Sequence, residues 1–449
     1  MGRKKKTDNT LVVKSLKARG IEVLPIGKAT EDAIIDAASY IDNQRVLANV
    51  KDGCKPSYRR LIWAALQFPK GVMQPSVQII NKMSSYHPHD LSSMKFLQAS
   101  MVRSGIFSGS GSFGGVSITG DIREPGAPRY TKTRLSDLYY EIITPLLQCV
   151  DKVESPVGPE EITYCPTVFP LCLSFRSLVA GIGYGISTVY PNFSPKSMYK
   201  ALLEDNPEYL EPNIDILIDK KNSELRRLWE TGKGRVVYAY KLSAYTNEDG
   251  KQGFLFEGDT GIFTPNLKKI NKYVESGDCF IDDLTTVKGP RMFVGLVNSR
   301  KLSIKDLEKL CRQCCYDATV YQLNITDGST CFRIPLRDWL RYTYDNYIKL
   351  VSEVNKRNIE KCKFDILVLE ALPYVSDYIL NKNPKASDQE ICKALELPQE
   401  VVEVVMSKPI SYLRKNKDTA ERVRTLKDKL KELKKFDPIK YTEEIINKL

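Results

Sequence analysis

In the stretch "PGAPRYTKTRLSDLYY" (125–140), Tyr130 lies between Arg129 and the run Thr131, Lys132, Thr133, Arg134. A tyrosine hydroxyl ionises near pH ~10, so it is a poor nucleophile at neutral pH. Cations beside it favour the phenolate and can hold a phosphate in line for attack. The planar donors of Arg129 match phosphate oxygens. With 24 tyrosines in the chain, most are packing residues, and an Arg-Tyr pair says little by itself. A second stretch, "YHPHD" (86–90), holds both of the chain's two histidines, His87 and His89. Pro88 fixes an extended backbone, which turns residues two apart to the same side. The imidazoles then face one place just before a helix start, where anions are favoured. Imidazoles titrate near neutral pH, so a phosphate clamp made of them is expected to weaken at high pH.

Other reactive side chains read as structural. The eleven cysteines are mostly isolated among apolar neighbours, as in "PLCLSF" and "LLQCV", and suit buried free thiols in a reducing compartment. Cys311, Cys314 and Cys315 cluster in "CRQCC", but only Cys331 is near enough in sequence to complete a zinc set, so no metal is expected there. "FEGDTG" (256–261) reads as a Gly-Asp turn.

The elements that must position these residues follow from periodicity. Residues 1–28 open with Arg3-Lys4-Lys5-Lys6 and suggest a basic arm. Residues 30–50 read as a helix capped by Thr30, with Ile34, Ala37, Ala38 and Ile41 as its apolar stripe. "KDGCKP" breaks it. Residues 57–68 form a second helix, capped by Ser57, that buries Leu61, Ala64 and Ala65 and displays Arg59 and Arg60. Residues 90–103 form a third, with Leu91, Met94, Leu97 and Met101 inward and Ser92, Ser93, Lys95, Gln98 and Arg103 outward. Asp90 is placed to cap it. A Gly-rich β segment follows. This is the order of a winged helix-turn-helix, whose last helix enters a major groove.

From about 196 to 335, strand-like runs ("IDILID", "GRVVYAYKL", "GFLFEG", "RMFVGLV", "ATVYQLNIT") alternate with turns and helical pieces such as 303–315, which suggests an α/β domain. From 336 the chain is helical. Leu340, Tyr344, Tyr347, Val351 and Val354, and later Val423, Leu426, Leu430 and Leu433, recur at heptad spacing. They predict two arms of an antiparallel coiled coil around a compact middle at 362–412. The expected organisation is multidomain α+β: an arm (1–28), a winged-helix domain (29–195), an α/β domain (196–335) and a helical domain (336–449).

The 449 residues carry a net charge of +12, which favours a polyanionic partner, either nucleic acid or an anionic membrane surface. No run of 18 apolar residues predicts a membrane span, and the opening "MGRKKKTDNT" has no apolar core behind it to make a secretory signal.

Five motifs occur in order: "NQRVLANVKDGCKPSYRR", "YHPHD", "GSGSFGG", "PRYTKTRL" and "GIGYGISTVYPN". With them the chain resembles the DNA breakage-reunion subunit of type IIA DNA topoisomerases, such as the A subunits of DNA gyrase and topoisomerase IV. The likeness is close from 45 to 195 and architectural beyond. It implies that Tyr130 attacks a DNA phosphate to form a 5′-phosphotyrosyl link, with Arg129 stabilising the transition state. Arg45, Lys55 and Arg60, with Arg59 beside it, match basic residues that grip phosphates around the cut. His87 and His89 match the pair beside the scissile phosphate. Ile182 matches an isoleucine that wedges between base pairs and bends the duplex, although an isoleucine between glycines is ordinarily a core residue. The resemblance further implies a winged-helix gate, a tower domain, a coiled coil with a dimerising exit gate, and a homodimer on double-stranded DNA.

There are departures. Asp90 and Leu91 replace a glycine and an acidic residue, Phe96 stands where the family carries a drug-anchoring acid after Ser92, and Tyr58 replaces a frequent histidine. Weak sensitivity to quinolones is expected. No nucleotide-binding loop is present, and no Asp-x-Asp follows "FEGDTG" to make the family's metal domain. Mg2+ and ATP are therefore expected on a partner resembling the gyrase B subunit. The size and the stop after the second arm suggest relaxation or decatenation, and most resemble the medium subunit of bacteriophage enzymes. That reading places the protein on DNA in the cytoplasm of a bacterial host, with no membrane partner. A tyrosine recombinase is disfavoured, because neither histidine has an arginine three residues on. A non-catalytic DNA-bending architectural protein is the remaining alternative.

Overall fold

The computed structural model describes residues 18–20, 25–88, 90–116, 122–155, 157–259, 265–285, 290–297, 301–408 and 419–449. Arg3-Lys4-Lys5-Lys6 and His89 lie outside the described residues.

The first helix runs Ile26–Ile41. It starts four residues before Thr30, whose hydroxyl donates back to the Ile26 carbonyl at 2.8 Å, so Thr30 is inside the helix and is not its cap. It does not continue to 50: a π turn, Asp42–Val46, ends it. No residue of this helix is buried, so the expected apolar stripe has no core beneath it; Ile34 and Ile35 are exposed. The next helix, Pro56–Leu66, follows Lys55 as its N-cap. Pro56 occupies the first turn, where its missing N–H costs nothing, so Ser57 is not the cap.

A helix absent from the sequence reading, Ser76–Ser84, buries Ile79, Ile80 and Met83. It leads through "YHPHD" into Leu91–Arg103. These two helices, rather than the 57–68 segment, flank the turn. A small sheet packs beside them in the order Gln74–Pro75, Lys132–Leu135, Phe107–Ser110, with Thr133 paired to both Gln74 and Gly109.

Two larger sheets follow. A five-stranded sheet runs Leu217–Ile218, Lys233–Ala239, Tyr316–Gln322, Ser187–Tyr190, Val179–Ile182. A four-stranded antiparallel sheet runs Lys241–Thr246, Gln252–Glu257, Arg291–Leu296, Cys279–Asp283. The run "GRVVYAYKL" thus splits at Tyr240 between the two sheets. Ladder pairing also crosses the expected 195/196 boundary, because Val189 pairs with Gln322. Ala48–Asn49 pairs in parallel with Asn324–Thr326, and the Trp339 indole N–H donates to the Val50 carbonyl at 2.8 Å.

Helix Leu336–Asp377 spans 42 residues. Leu340, Tyr344, Tyr347, Val351 and Val354 are buried in the main core, where the Tyr344 ring meets Phe169 and Tyr199. That heptad series therefore faces the body of the protein and is not the seam of the arm. The antiparallel contact with Thr419–Lys435 lies further along: Asn355 donates to the Leu433 carbonyl, Cys362 to that of Leu426, and Lys427 pairs with Glu370. Val368, Leu372 and Val375 join Ile391, Val401, Val402 and Val405 in a second, smaller core. None of the cysteines forms a disulfide; Cys311, Cys314 and Cys315 are buried and Cys331 is exposed.

Candidate active site and nucleic-acid interface

Tyr130 ends a tight turn, its N–H donating to the Ala127 carbonyl at 2.8 Å. The turn is pinned from behind by the start of helix Ser76–Ser84. The Val77 and Ser76 N–H groups donate to the Pro128 and Thr131 carbonyls, and the Thr131 hydroxyl donates to that of Ser76 at 2.7 Å. A free helix N-terminus offers N–H donors without partners, and here two of them hold the turn. Buried Gln98 donates to the Thr133 hydroxyl at 2.7 Å and ties the strand after Tyr130 to helix Leu91–Arg103. The outward placement expected for Gln98 is thus corrected. On this support Tyr130 itself is 74% exposed, and the Arg129 guanidinium lies 4.7 Å from the centre of its ring. A cation over the ring face is attracted by the ring quadrupole. Arg134 is engaged by Asp137 at 2.5 Å, which leaves Arg129 and Lys132 as the exposed cations on either side of the tyrosine.

His87 is half-buried, with Nε2 2.9 Å from the Tyr40 hydroxyl and Nδ1 2.9 Å from the Pro88 carbonyl oxygen. It follows the far end of helix Ser76–Ser84, whereas Tyr130 sits at the near end. Nine residues at 1.5 Å each put ~13 Å between the two ends. Within one chain, then, the structure does not bring His87 to Tyr130. Asp90 caps the following helix as expected, accepting from the Ser93 N–H at 2.8 Å and its hydroxyl at 3.0 Å. Those hydrogen bonds, the backbone one first, hold its carboxyl below the usual range.

The basic residues of "DGCKPSYRR" are placed differently from the expectation of display. Arg59 is mostly buried against the fully buried Asp52 carboxylate, at 2.8 Å through Nε and 3.2 Å through Nη2. Burial opposes its charge, and Asp52 more than offsets this, raising the Arg59 pKa above its ordinary range. Asp52 also accepts from the Cys54 and Cys165 N–H groups. Arg60 is buried in a bidentate pair with Glu161 at 2.7 and 2.9 Å. Lys55 is 9% exposed, and its Nζ donates to the Ala180 carbonyl at 2.8 Å. Burial lowers its pKa to about 8. Arg45, on the π turn, is exposed.

Ile182 ends strand Val179–Ile182 at the tip of a hairpin whose other strand is Ser187–Tyr190. It is 88% exposed, and Tyr184 beside it is 63% exposed. An isoleucine between glycines is ordinarily a core residue; here the hairpin carries Ile182 into solvent, as its expected place at the DNA requires.

A family model described as the A subunit of DNA gyrase/topoisomerase IV matches residues 45–449. The chain belongs to that family. It is 28% identical over 405 residues to the DNA gyrase A subunit of Clostridium acetobutylicum, covering 80% of this chain and 46% of that protein. Over 242 residues it is 30% identical to the DNA topoisomerase 4 A subunit of Streptococcus pyogenes serotype M18, covering 48% of this chain and 28% of that one. Over 251 residues it is 30% identical to the DNA gyrase A subunit of Mycoplasma pneumoniae, covering 51% and 29%. The chain spans less than half the length of these curated relatives.

In this gyrase A-family chain the predicted site residues fall into two groups. Arg129, Tyr130, Arg45 and Ile182 are exposed. Lys55, Arg59 and Arg60 are engaged inside the protein. The buried carboxylates Asp52 and Glu161 were not among the expected site residues. Asp52 had a local signal, lying in the Asp-Gly turn before the helix; Glu161 is 101 residues from Arg60 and had none. No helix among the described residues is long and apolar enough to cross a membrane.

Proposed function

We propose that this chain is the DNA-cleaving subunit of a type II DNA topoisomerase. The observation that carries the reading is Tyr130, held on a pinned turn at 74% exposure with the Arg129 guanidinium 4.7 Å from its ring. The Tyr130 oxygen attacks the phosphorus of a DNA phosphodiester. A phosphotyrosyl ester forms to the 5′ end as the phenolic proton is lost to solvent, and the bond to the deoxyribose 3′ oxygen breaks, that oxygen taking up a proton from solvent in turn. Arg129 meets the charge that develops on the phosphoryl oxygens, where a placed donor lowers the barrier most. Because one ester replaces another, resealing needs no external source of energy.

In this reading two copies form the gate as a homodimer. The helix-turn-helix and its small sheet act as a winged helix on double-stranded DNA, the two large sheets as the tower, and 336–449 as a coiled coil with an exit gate. A partner resembling the gyrase B subunit supplies ATP turnover and Mg2+. Placement on DNA in a bacterial cytoplasm, a bacteriophage source and weak quinolone response belong to the same reading.

Denaturant trapping of covalent protein–DNA complexes, with magnesium and the partner subunit present, tests it. The native chain is expected to give adducts and Tyr130→Phe none. Adducts from the phenylalanine variant would sink the assignment. The exposure of Ile182 favours a second reading, a DNA-bending protein without chemistry. That reading predicts bending with no adduct from either form.

A further inference from the structure

The hairpin that carries Ile182 rests on the π turn Asp42–Val46, and two glycines make that contact possible. A Cβ on Gly183 would collide with the Asp42 Oδ1. A Cβ on Gly181 would lie 2.6 Å from the Val46 carbonyl oxygen and 3.3 Å from the Lys55 Nζ. Into these gaps reach two charged side chains, each more than nine-tenths buried: Asp42 at 8% and Lys55 at 9% exposure. Asp42 accepts from the Tyr184 N–H at 3.0 Å, two residues after Ile182. Lys55 donates to the Ala180 carbonyl at 2.8 Å, two residues before it. The backbone is therefore gripped on both sides of an exposed isoleucine by groups of opposite charge. A hydrogen bond with one ionised partner is about twice as strong as a neutral one.

The geometry points to Asp42 and Lys55 as positioning residues that brace the Ile182 hairpin so that it can be driven into a base step. Inserting an apolar side chain between base pairs requires those pairs to be unstacked. A hairpin free to swing would fold away from the duplex before taking that load. Val179 and Ser187–Tyr190 hold the base of the hairpin in the five-stranded sheet, while Asp42 and Lys55 hold its tip. The inference rests on the reading of Ile182 as a wedge, and the two are separable by experiment.

The test uses the full chain and a ~30-base-pair duplex, a length over which a bend of tens of degrees is resolvable, labelled at both ends for energy transfer. Anisotropy reports binding separately. Ile182→Ala is expected to lose the bend; if it bends DNA like the native chain, the wedge reading itself falls. Asp42→Ala is expected to bind within a few-fold of native, and both Asp42→Ala and Lys55→Met to populate the bent state less and to speed amide exchange across 179–190 roughly tenfold. Asp42→Asn, which keeps an acceptor oxygen, is expected to recover most of the bend. Gly183→Ala is expected to lose the bend in the native background and to add little to Asp42→Ala, since the atom it strikes is then gone. Native bending and native exchange in Asp42→Ala, with the bend still lost in Ile182→Ala, would overturn the bracing role and leave the wedge standing. Should Asp42→Ala misfold, Asp42→Asn and Gly183→Ala carry the same comparison, and native bending in Gly183→Ala overturns it equally.

Discussion

Two basic stretches of this chain look alike on paper and differ in space. "PRYTKTR" puts Arg129 and Lys132 into solvent around Tyr130. "KPSYRR" turns Lys55, Arg59 and Arg60 inward, onto the Ala180 carbonyl, Asp52 and Glu161. The first group keeps its charge available to an outside anion. In the second, Lys55 and Arg60 tie their helix to segments 125 and 101 residues away, while Arg59 holds Asp52 in the turn just before the helix. A cluster of positive residues is thus two different things, depending on whether a carboxylate or carbonyl is folded against it. An ionised side chain already paired inside the protein has little left to offer a phosphate.

The contrast is open to direct attack. The largest effect is expected from Tyr130→Phe, which removes the attacking oxygen: trapped adducts fall to zero while duplex affinity by anisotropy is kept. Arg60→Ala leaves Glu161 buried without its partner, which costs about 3–5 kcal/mol in urea-unfolding stability. A loss below ~1 kcal/mol, the range of exposed pairs, would erase the distinction between the two stretches. Arg129→Ala does the reverse, slowing adduct formation ~10²–10³-fold while its stability stays within ~0.5 kcal/mol of native.

Lys55 gives a pH signature. Burial lowers its pKa from 10.5 to about 8, and the neighbouring Cys172 thiol is itself pushed well up by burial and stays neutral. Below pH 8 the folded chain bears the whole cost of the buried charge. From about 8 to 10.5 the unfolded chain holds the extra proton, so the contribution of this group to stability rises with pH. Native protein is expected to gain up to ~3 kcal/mol on Lys55→Met across that window. A difference that does not change with pH would mean that Lys55 is hydrated. The smallest effect is expected at Asp90: Asp90→Ala lowers the Tm slightly and Asp90→Asn restores it, because either Asp or Asn can cap the helix.

What was legible in the sequence follows the same division. Tyr130 could be singled out by the cations beside it, but the turn that carries it could not, because its fixing contacts from Ser76, Val77 and Gln98 are distant in sequence. Ile182 could be singled out only by resemblance, since local rules put an isoleucine between glycines in the core. The display of Arg59 and Arg60 was misread because helical spacing says which way a side chain leaves its own helix and nothing about what packs there. Gln98 was misread for the same reason. Helix Ser76–Ser84 was hidden by its brevity and by polar residues at Gln78, Asn81 and Lys82. The heptad spacing of Leu340 to Val354 correctly marked a buried face and left its partner open, since a core and a second helix ask for the same stripe.

Helix Leu336–Asp377 is anchored in the main core near its start and in the small core near its end. At 1.5 Å per residue it is a single strut ~63 Å long. From Val354, the last of its residues in the main core, to Asp377 is ~35 Å, so a tilt of one degree there sweeps the far end through ~0.6 Å, and ten degrees through ~6 Å. The molecule thereby carries a built-in pantograph, in which a movement too small to rupture packing at one end is drawn large at the other.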